Sequence, residues 1–80
     1  MIIYGTDLCK DCVQCKKDLD GAGITYEYRD ITANLLHLKE FLTMRDSSSS
    51  FSEAKEQGYI GIPVLLLEDG TETLDWQSLM

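Results

Sequence analysis

The fold of this chain is decided by the stretch Thr6-Asp7-Leu8-Cys9-Lys10-Asp11-Cys12-Val13-Gln14-Cys15. It follows Ile2-Ile3-Tyr4-Gly5, which predict a short buried strand, and it leads into a pattern typical of an amphipathic helix. Cys9 would then stand where the strand gives way to the helix. The unpaired N–H groups and partial positive charge of a helix N-terminus stabilise a thiolate, the reactive form of cysteine. Because Cys12 lies one turn further on, it could attack a mixed disulfide formed at Cys9, so this spacing predicts redox chemistry.

The length and charge of the chain limit the classes of protein it could be. Its 80 residues allow one domain, residues 1–80, with one modest core. The net charge of −7 and the lack of a basic stripe argue against nucleic acid as a partner. No apolar run approaches the roughly 18 residues of a membrane span, and no secretory signal is visible. We therefore expect a cytoplasmic, monomeric protein that does not bind membranes.

The remaining pattern predicts alternating strands and helices. The first helix should run from Lys10 to about Asp20 and end at Gly21 and Gly23, followed by a strand at 24–29. A second helix should end near Arg45, and a short third helix should cover 51–57. Strands at 64–67 and 71–74, joined by a turn at Asp69-Gly70, should precede a last helix at 76–80. We expect helix caps from the 30–32 loop, from Ser50 with Glu53 and from Asp75. The first two strands should pair in parallel.

Two apolar stripes are expected to pack these helices on the sheet. The first helix presents Cys12, Cys15, Leu19 and Ala22 at helical spacing. The second presents Leu35, Leu38 and Leu42, with Leu36, Phe41 and Met44 beside them.

With these residues in this order, the chain resembles the glutaredoxin branch of the thioredoxin fold. The resemblance is carried by Tyr4-Gly5-Thr6-x-x-Cys9-x-x-Cys12 after the first strand and by Gly61-Ile62-Pro63 before the third. The stretch from Leu38 to Pro63 is similar to a small bacterial glutaredoxin-related subgroup. The resemblance implies an α/β, thioredoxin-like fold of glutaredoxin type: a four-stranded mixed sheet, in the order β-α-β-α-α-β-β-α, flanked by helices.

The resemblance also implies roles for individual residues. Cys9 would be the exposed nucleophile and Cys12 the resolving thiol, and the backbone of Ile62 would pair with a bound thiol substrate beside a cis-Pro63. The substrate-binding residues implied are Tyr4, Thr6, Lys10, Ile62, Pro63 and Asp75. The family's Cys-Pro-Tyr-Cys reads Cys-Lys-Asp-Cys here, and its Gly-Gly-x-Asp-Asp reads Thr73-Leu74-Asp75-Trp76.

The expected activity is thiol–disulfide exchange by an enzyme that carries no bound cofactor. Its substrate would be a disulfide-containing protein or a glutathione mixed disulfide, with glutathione as a co-substrate or a flavoprotein reductase as the electron donor. The tetrad Cys12-Val13-Gln14-Cys15 spells the motif of redoxins that serve ribonucleotide reductase, but it lies three residues out of register, because the distance from the strand favours Cys9.

Cys15 leaves a second class of function open. With Cys9 and Cys12 it completes Cys-x-x-Cys-x-x-Cys, a possible metal or iron–sulfur ligand set. The alternative is a small buried side chain facing Leu19, which we favour, because successive helical steps of three residues turn Cys15 well away from Cys9. A third possibility is a binding module that keeps the scaffold without the redox activity.

Overall fold

In the computed structural model, which describes residues 1–80, four strands form one mixed sheet. The strands are β1 (Ile2–Gly5), β2 (Glu27–Asp30), β3 (Val64–Leu66) and β4 (Glu72–Thr73). They lie in the order β2-β1-β3-β4, with β1 parallel to β2 and antiparallel to β3, and with β3 antiparallel to β4. The four-stranded mixed sheet and the parallel first pair are therefore confirmed.

Three α-helices and two 3-10 helices complete the chain. They are α1 (Lys10–Gly21), α2 (Leu35–Ser47), a 3-10 helix at Ser49–Phe51, α3 (Ser52–Gln57) and a 3-10 helix at Trp76–Leu79. None of these helices combines the length and apolar character that crossing a bilayer requires. The architecture is that of a small α/β fold.

The core has two halves, one on each face of the sheet. Neighbouring residues of a strand point to opposite faces, so Ile3 and Tyr4 enter different clusters. On the face covered by α1, Ile3 packs with Cys15, Leu19 and Leu65. On the other face, the buried cluster contains Tyr4, Ile31, Phe41, Phe51 and Val64, with Phe41 and Phe51 meeting edge to face.

Arg29 of β2 connects this strand to helix α2 through Glu40. Its Nη1 donates to the hydroxyl of Tyr4 at 2.8 Å and to the carboxylate of Glu40 at 3.0 Å, and its Nε donates to Glu27. The Tyr4 hydroxyl donates in turn to Glu40 at 3.1 Å. This network satisfies the polar end of a buried tyrosine and connects β1, β2 and α2.

The elements differ from the sequence predictions mainly at their ends. α1 ends at Gly21, one residue beyond the predicted end, and Gly23 follows the C-cap with a left-handed φ of 72°, as predicted for the glycines that end this helix. Ala22, the end of the predicted stripe, is exposed. The second strand starts at Glu27 rather than at residue 24. In α2, Phe41 is buried and Leu38 and Met44 pack against the core, whereas Leu35, Leu36 and Leu42 are exposed. The predicted stripe of α2 was therefore wrong in half of its members.

The helix caps are also not those predicted. Asn34, rather than the 30–32 loop, caps α2 by accepting from the N–H groups of Leu36 and His37. Ser48 caps the short 3-10 helix that precedes α3, and this leaves no role for the predicted capping box of Ser50 and Glu53. Asp75 stands before the last 3-10 helix, but its side chain caps nothing.

Candidate functional site

Cys9 occupies the N-cap position of α1, as the sequence predicts. Its backbone is extended there (φ −103°, ψ 122°), and its Sγ accepts from the N–H of Cys12 at 3.4 Å. The side chain is half-buried and free of any disulfide. The N-terminal end of the helix and this N–H group both favour a negative charge on the sulfur. Cys9 is thus the sulfur of this motif that combines solvent access with a donor suited to a thiolate.

Cys12 lies behind Cys9 and is fully buried. Its Sγ rests against the backbone of Gly5, where an added methyl group would lie only 2.8 Å from the sulfur. Burial raises the pKa of Cys12 to about 12, and a hydrogen bond and the charge of Cys9 act in the same direction. Cys12 is therefore a neutral thiol near pH 7.

Cys15 lies on the far side of α1 from the solvent. It is fully buried with Ile3, Leu19 and Leu65, which confirms the prediction that it is a core residue. Burial, with a smaller effect from the carboxylate of Asp18, raises its pKa to about 11. No group of three or more potential ligand side chains is arranged to hold a metal ion.

A cleft of about 630 Å³ opens beside Cys9. Its floor is the 58–63 segment, and its walls come from the first turn of α1, from α3 and from the Leu74–Trp76 region. The surface is mostly apolar, with Tyr59 and Ile60 largely exposed. The carbonyl oxygen of Ile62 lies 4.0 Å from the Sγ of Cys9. A molecule in this cleft could therefore contact Cys9 and the main chain before Pro63 together.

The structure brings together some of the predicted substrate-binding residues. Ile62 and Pro63 line the cleft, and their peptide bond is cis, the form that the resemblance implies. Tyr59 and Trp76 line it too.

Four other predicted residues lie outside the cleft. Tyr4 is buried against Arg29 and Glu40, and Thr6 is buried with its hydroxyl 2.9 Å from that of Thr32. The polar groups of both side chains are hydrogen-bonded to other parts of the fold. Lys10 and Asp75 are exposed, but neither lines the cleft.

Two acidic residues that line the cleft are not among the site residues predicted from the sequence. Asp11 and Glu53 lie in the first turns of α1 and α3, and both line the cleft. Asp11 is noticeable in the sequence only as a charge beside Cys9. Glu53 could not have been found, because nothing local indicates that α3 packs next to the 58–63 segment.

A buried polar group lies close to Cys12. The hydroxyl of Tyr28 would lie 3.3 Å from a methyl group added at Gly5, the same point that crowds the Sγ of Cys12, and it has no hydrogen-bond partner. Burial, then the charges of Cys12 and Asp7, raise the pKa of Tyr28, which keeps it neutral. The Nζ of Lys16 lies 4.0 Å from the centre of the Tyr28 ring and 2.7 Å from Asp7.

Comparison with known proteins gives one informative relative. The chain is 38% identical over 78 residues to a protein of Haemophilus influenzae described as an uncharacterized protein, and the match covers 98% of this chain and 91% of the relative. The chain therefore belongs to the same family as that Haemophilus protein. It matches none of the protein-family models and none of the solved structures with which it was compared.

Proposed function

We propose that this protein is a thiol–disulfide oxidoreductase with a thioredoxin-like fold of glutaredoxin type. The observation that carries the proposal is the position of Cys9: a half-buried sulfur at a helix N-cap, facing a cleft, with a second thiol one turn behind it. A helix N-terminus of this kind is the usual environment of a reactive cysteine. The β1-α1-β2 unit with parallel strands, and the approach of Ile62-Pro63 to Cys9, are consistent with that fold.

The reaction proceeds in two exchange steps. The thiolate of Cys9 attacks one sulfur of a substrate disulfide, so that a Cys9–substrate disulfide forms and the other substrate sulfur leaves as a thiolate. Cys12 then loses its proton and attacks the sulfur of Cys9, which releases the second substrate thiolate. The two leaving thiolates take up protons from Cys12 and from water. Two electrons have then passed from the Cys9–Cys12 dithiol to the substrate. A thiol reductant, either glutathione or the dithiol of a flavoprotein reductase, reduces the Cys9–Cys12 disulfide back to the dithiol.

The environments of the two sulfurs fit this order of steps. Cys12 is held neutral by burial and by the neighbouring charge of Cys9, so it does not compete as the first nucleophile. Once Cys9 is part of a mixed disulfide it carries no charge, and that contribution to the raised pKa of Cys12 disappears. Formation of the mixed disulfide at Cys9 therefore removes one of the causes that hold Cys12 in the thiol form.

The test uses a neutral mixed disulfide that releases a chromophoric thiol, with a small dithiol as reductant. Cys9→Ser should slow release by roughly 100-fold or more, because the buried thiol of Cys12 is a poor nucleophile near pH 7. In a separate experiment, pre-reduced protein is mixed with the disulfide in the absence of the dithiol. Cys12→Ser should then react once and remain as the Cys9 mixed disulfide, whereas the wild type should end as a Cys9–Cys12 disulfide. Mass spectrometry of the protein distinguishes these products.

Cys15→Ala is the matched control, since this third sulfur faces the core, and it should turn over as the wild type does. Equal rates for the wild type and Cys9→Ser would exclude the proposed mechanism. A stable wild-type mixed disulfide that never becomes an internal disulfide would remove Cys12 from it.

A further inference from the structure

The charge of the cleft points to the kind of substrate that the proposed enzyme reduces. Among the residues that line it, Asp11 and Glu53 carry carboxylates, and there is no lysine, arginine or histidine. The carboxylates belong to different helices, α1 and α3, and both line the cleft that contains Cys9. A mostly apolar surface lowers the local dielectric and strengthens their field.

Two nearby cations are hydrogen-bonded to the main chain, and a third lies outside the cleft. The guanidinium of Arg45 donates to the carbonyl oxygens of Tyr59 and Ile60, both at 2.7 Å, and so supports the floor of the cleft. The ammonium of Lys55 lies 3.4 Å from the carbonyl oxygen of Asp46. Lys10 is exposed and does not line the cleft.

We propose that the cleft binds a disulfide-bearing polypeptide segment that carries lysine or arginine beside apolar side chains. This inference rests on the proposed function. Exposed Tyr59 and Ile60 offer contact area to the apolar residues of such a segment, and Asp11 and Glu53 attract its cations. Glutathione disulfide is disfavoured, because each half carries two carboxylates and a single ammonium. The preference is therefore for cationic protein disulfides over small anionic ones.

The experiment compares three peptides that differ only in the residues flanking one cysteine, which are arginine, glutamine or glutamate. Each cysteine forms a mixed disulfide with the same neutral thiol, and the rate constant for attack by pre-reduced protein is measured in single turnover. We expect the order arginine, glutamine, glutamate, with about a tenfold spread at low salt that shrinks in roughly 0.5 M NaCl. Glutathione disulfide should react no faster than the glutamate peptide.

The local origin of the preference is tested by two variants that change the net charge equally. Glu53→Gln should reduce the arginine-to-glutamate ratio severalfold, because it removes a carboxylate from the cleft wall. Glu56→Gln, on the same helix but outside the cleft, should leave the ratio unchanged. Asp11→Asn should also reduce the ratio, which, unlike an absolute rate, is insensitive to changes in the reactivity of Cys9.

Three results would overturn the inference: equal rates for all peptides, equal effects of the two glutamate variants, or glutathione disulfide reacting as fast as the arginine peptide. If the glutamine peptide still reacts with the wild type and not with Cys9→Ser, the proposed function stands and only the substrate preference fails. If no peptide reacts at Cys9, the proposed function fails and the inference fails with it.

Discussion

Three cysteines within seven residues occupy three different environments. Cys9 is half-buried at a helix end, Cys12 is buried behind it against Gly5, and Cys15 is buried in the core. The difference follows from the helix itself, because each step of three residues rotates the side chain toward the sheet. A half-buried thiol at the N-cap and a thiol in the core therefore lie less than two helical turns apart.

The buried thiol of Cys15 makes the stability of the protein depend on alkaline pH. Its pKa is raised to about 11 in the folded protein and is about 8.5 in an unfolded chain. Between these values the unfolded chain releases a proton that the folded protein keeps, so the free energy of unfolding falls as the pH rises. The fall for one such group is at most about 1.4 kcal/mol per pH unit.

We predict that Cys15→Ala lowers the free energy of unfolding at pH 7 by about 1 kcal/mol, because it leaves a small void in the core. Between pH 9 and 11 the variant should lose stability less steeply than the wild type, since it lacks this titrating group. Urea unfolding at several pH values, under reducing conditions, measures both effects. Parallel pH profiles would mean that Cys15 titrates normally in the folded state.

Individual residues of the site were predictable where one local rule decides them. The strand-to-helix junction places Cys9 at an N-cap, and helical spacing turns Cys15 into the core. Tyr4 and Thr6 were assigned to substrate binding by resemblance alone. Their actual partners, Arg29 and Thr32, are more than twenty residues away in the chain, and such contacts leave no local pattern.

At the scale of elements, the cleft depends on how the 58–63 segment turns after α3. Gly58 ends α3 in the left-handed conformation (φ 78°), and Gly61 has a positive φ of 97°. The two glycines differ in their surroundings. A methyl group on Gly61 would lie 2.8 Å from the ring of Phe51, whereas one on Gly58 would meet nothing within 4 Å.

We predict that Gly58→Ala costs about 1 kcal/mol of stability, from backbone strain alone. Gly61→Ala should cost at least about 2 kcal/mol, because strain is joined by a clash with a buried ring. It should also slow the attack of Cys9 on peptide disulfides, since the floor of the cleft must shift. Urea unfolding and single-turnover rates measure the two effects, and similar stability losses for both variants would show that Phe51 moves aside freely.

The sequence predicts the type and order of the elements better than their ends. The strands and α1 follow from apolar runs, turn residues and the position of Cys9, and all of these signals are local. The cap of α2 was misassigned because several polar residues before Leu35 could serve, and Asn34 was selected by the path of the chain from β2. The buried face of α2 depends in the same way on which side of the helix meets Phe51.

At the scale of the whole molecule, the charge is strongly unbalanced. Fourteen acidic residues face seven basic ones, and in each of the few ion pairs the carboxylate is exposed to solvent. Exposed ion pairs contribute little to stability, whereas the remaining acidic groups repel one another throughout the folded chain. Repulsion between charges should therefore dominate the electrostatic part of the folding energy at neutral pH.

We predict that raising NaCl from about 0.02 to 0.5 M increases the free energy of unfolding by about 1 kcal/mol, because salt screens this repulsion. The urea midpoint should rise over that range and then level off. A midpoint that falls with added NaCl would show that the surface ion pairs outweigh the repulsion.

Trp76 is the only tryptophan of the chain; it lines the cleft beside Cys9, and its indole N–H donates to Asp18 of α1 at 3.1 Å. The molecule thus carries an intrinsic fluorophore in the lining of the cleft, hydrogen-bonded to the helix whose N-cap residue is Cys9. Emission intensity and wavelength should follow occupancy and oxidation in real time, with no dye attached.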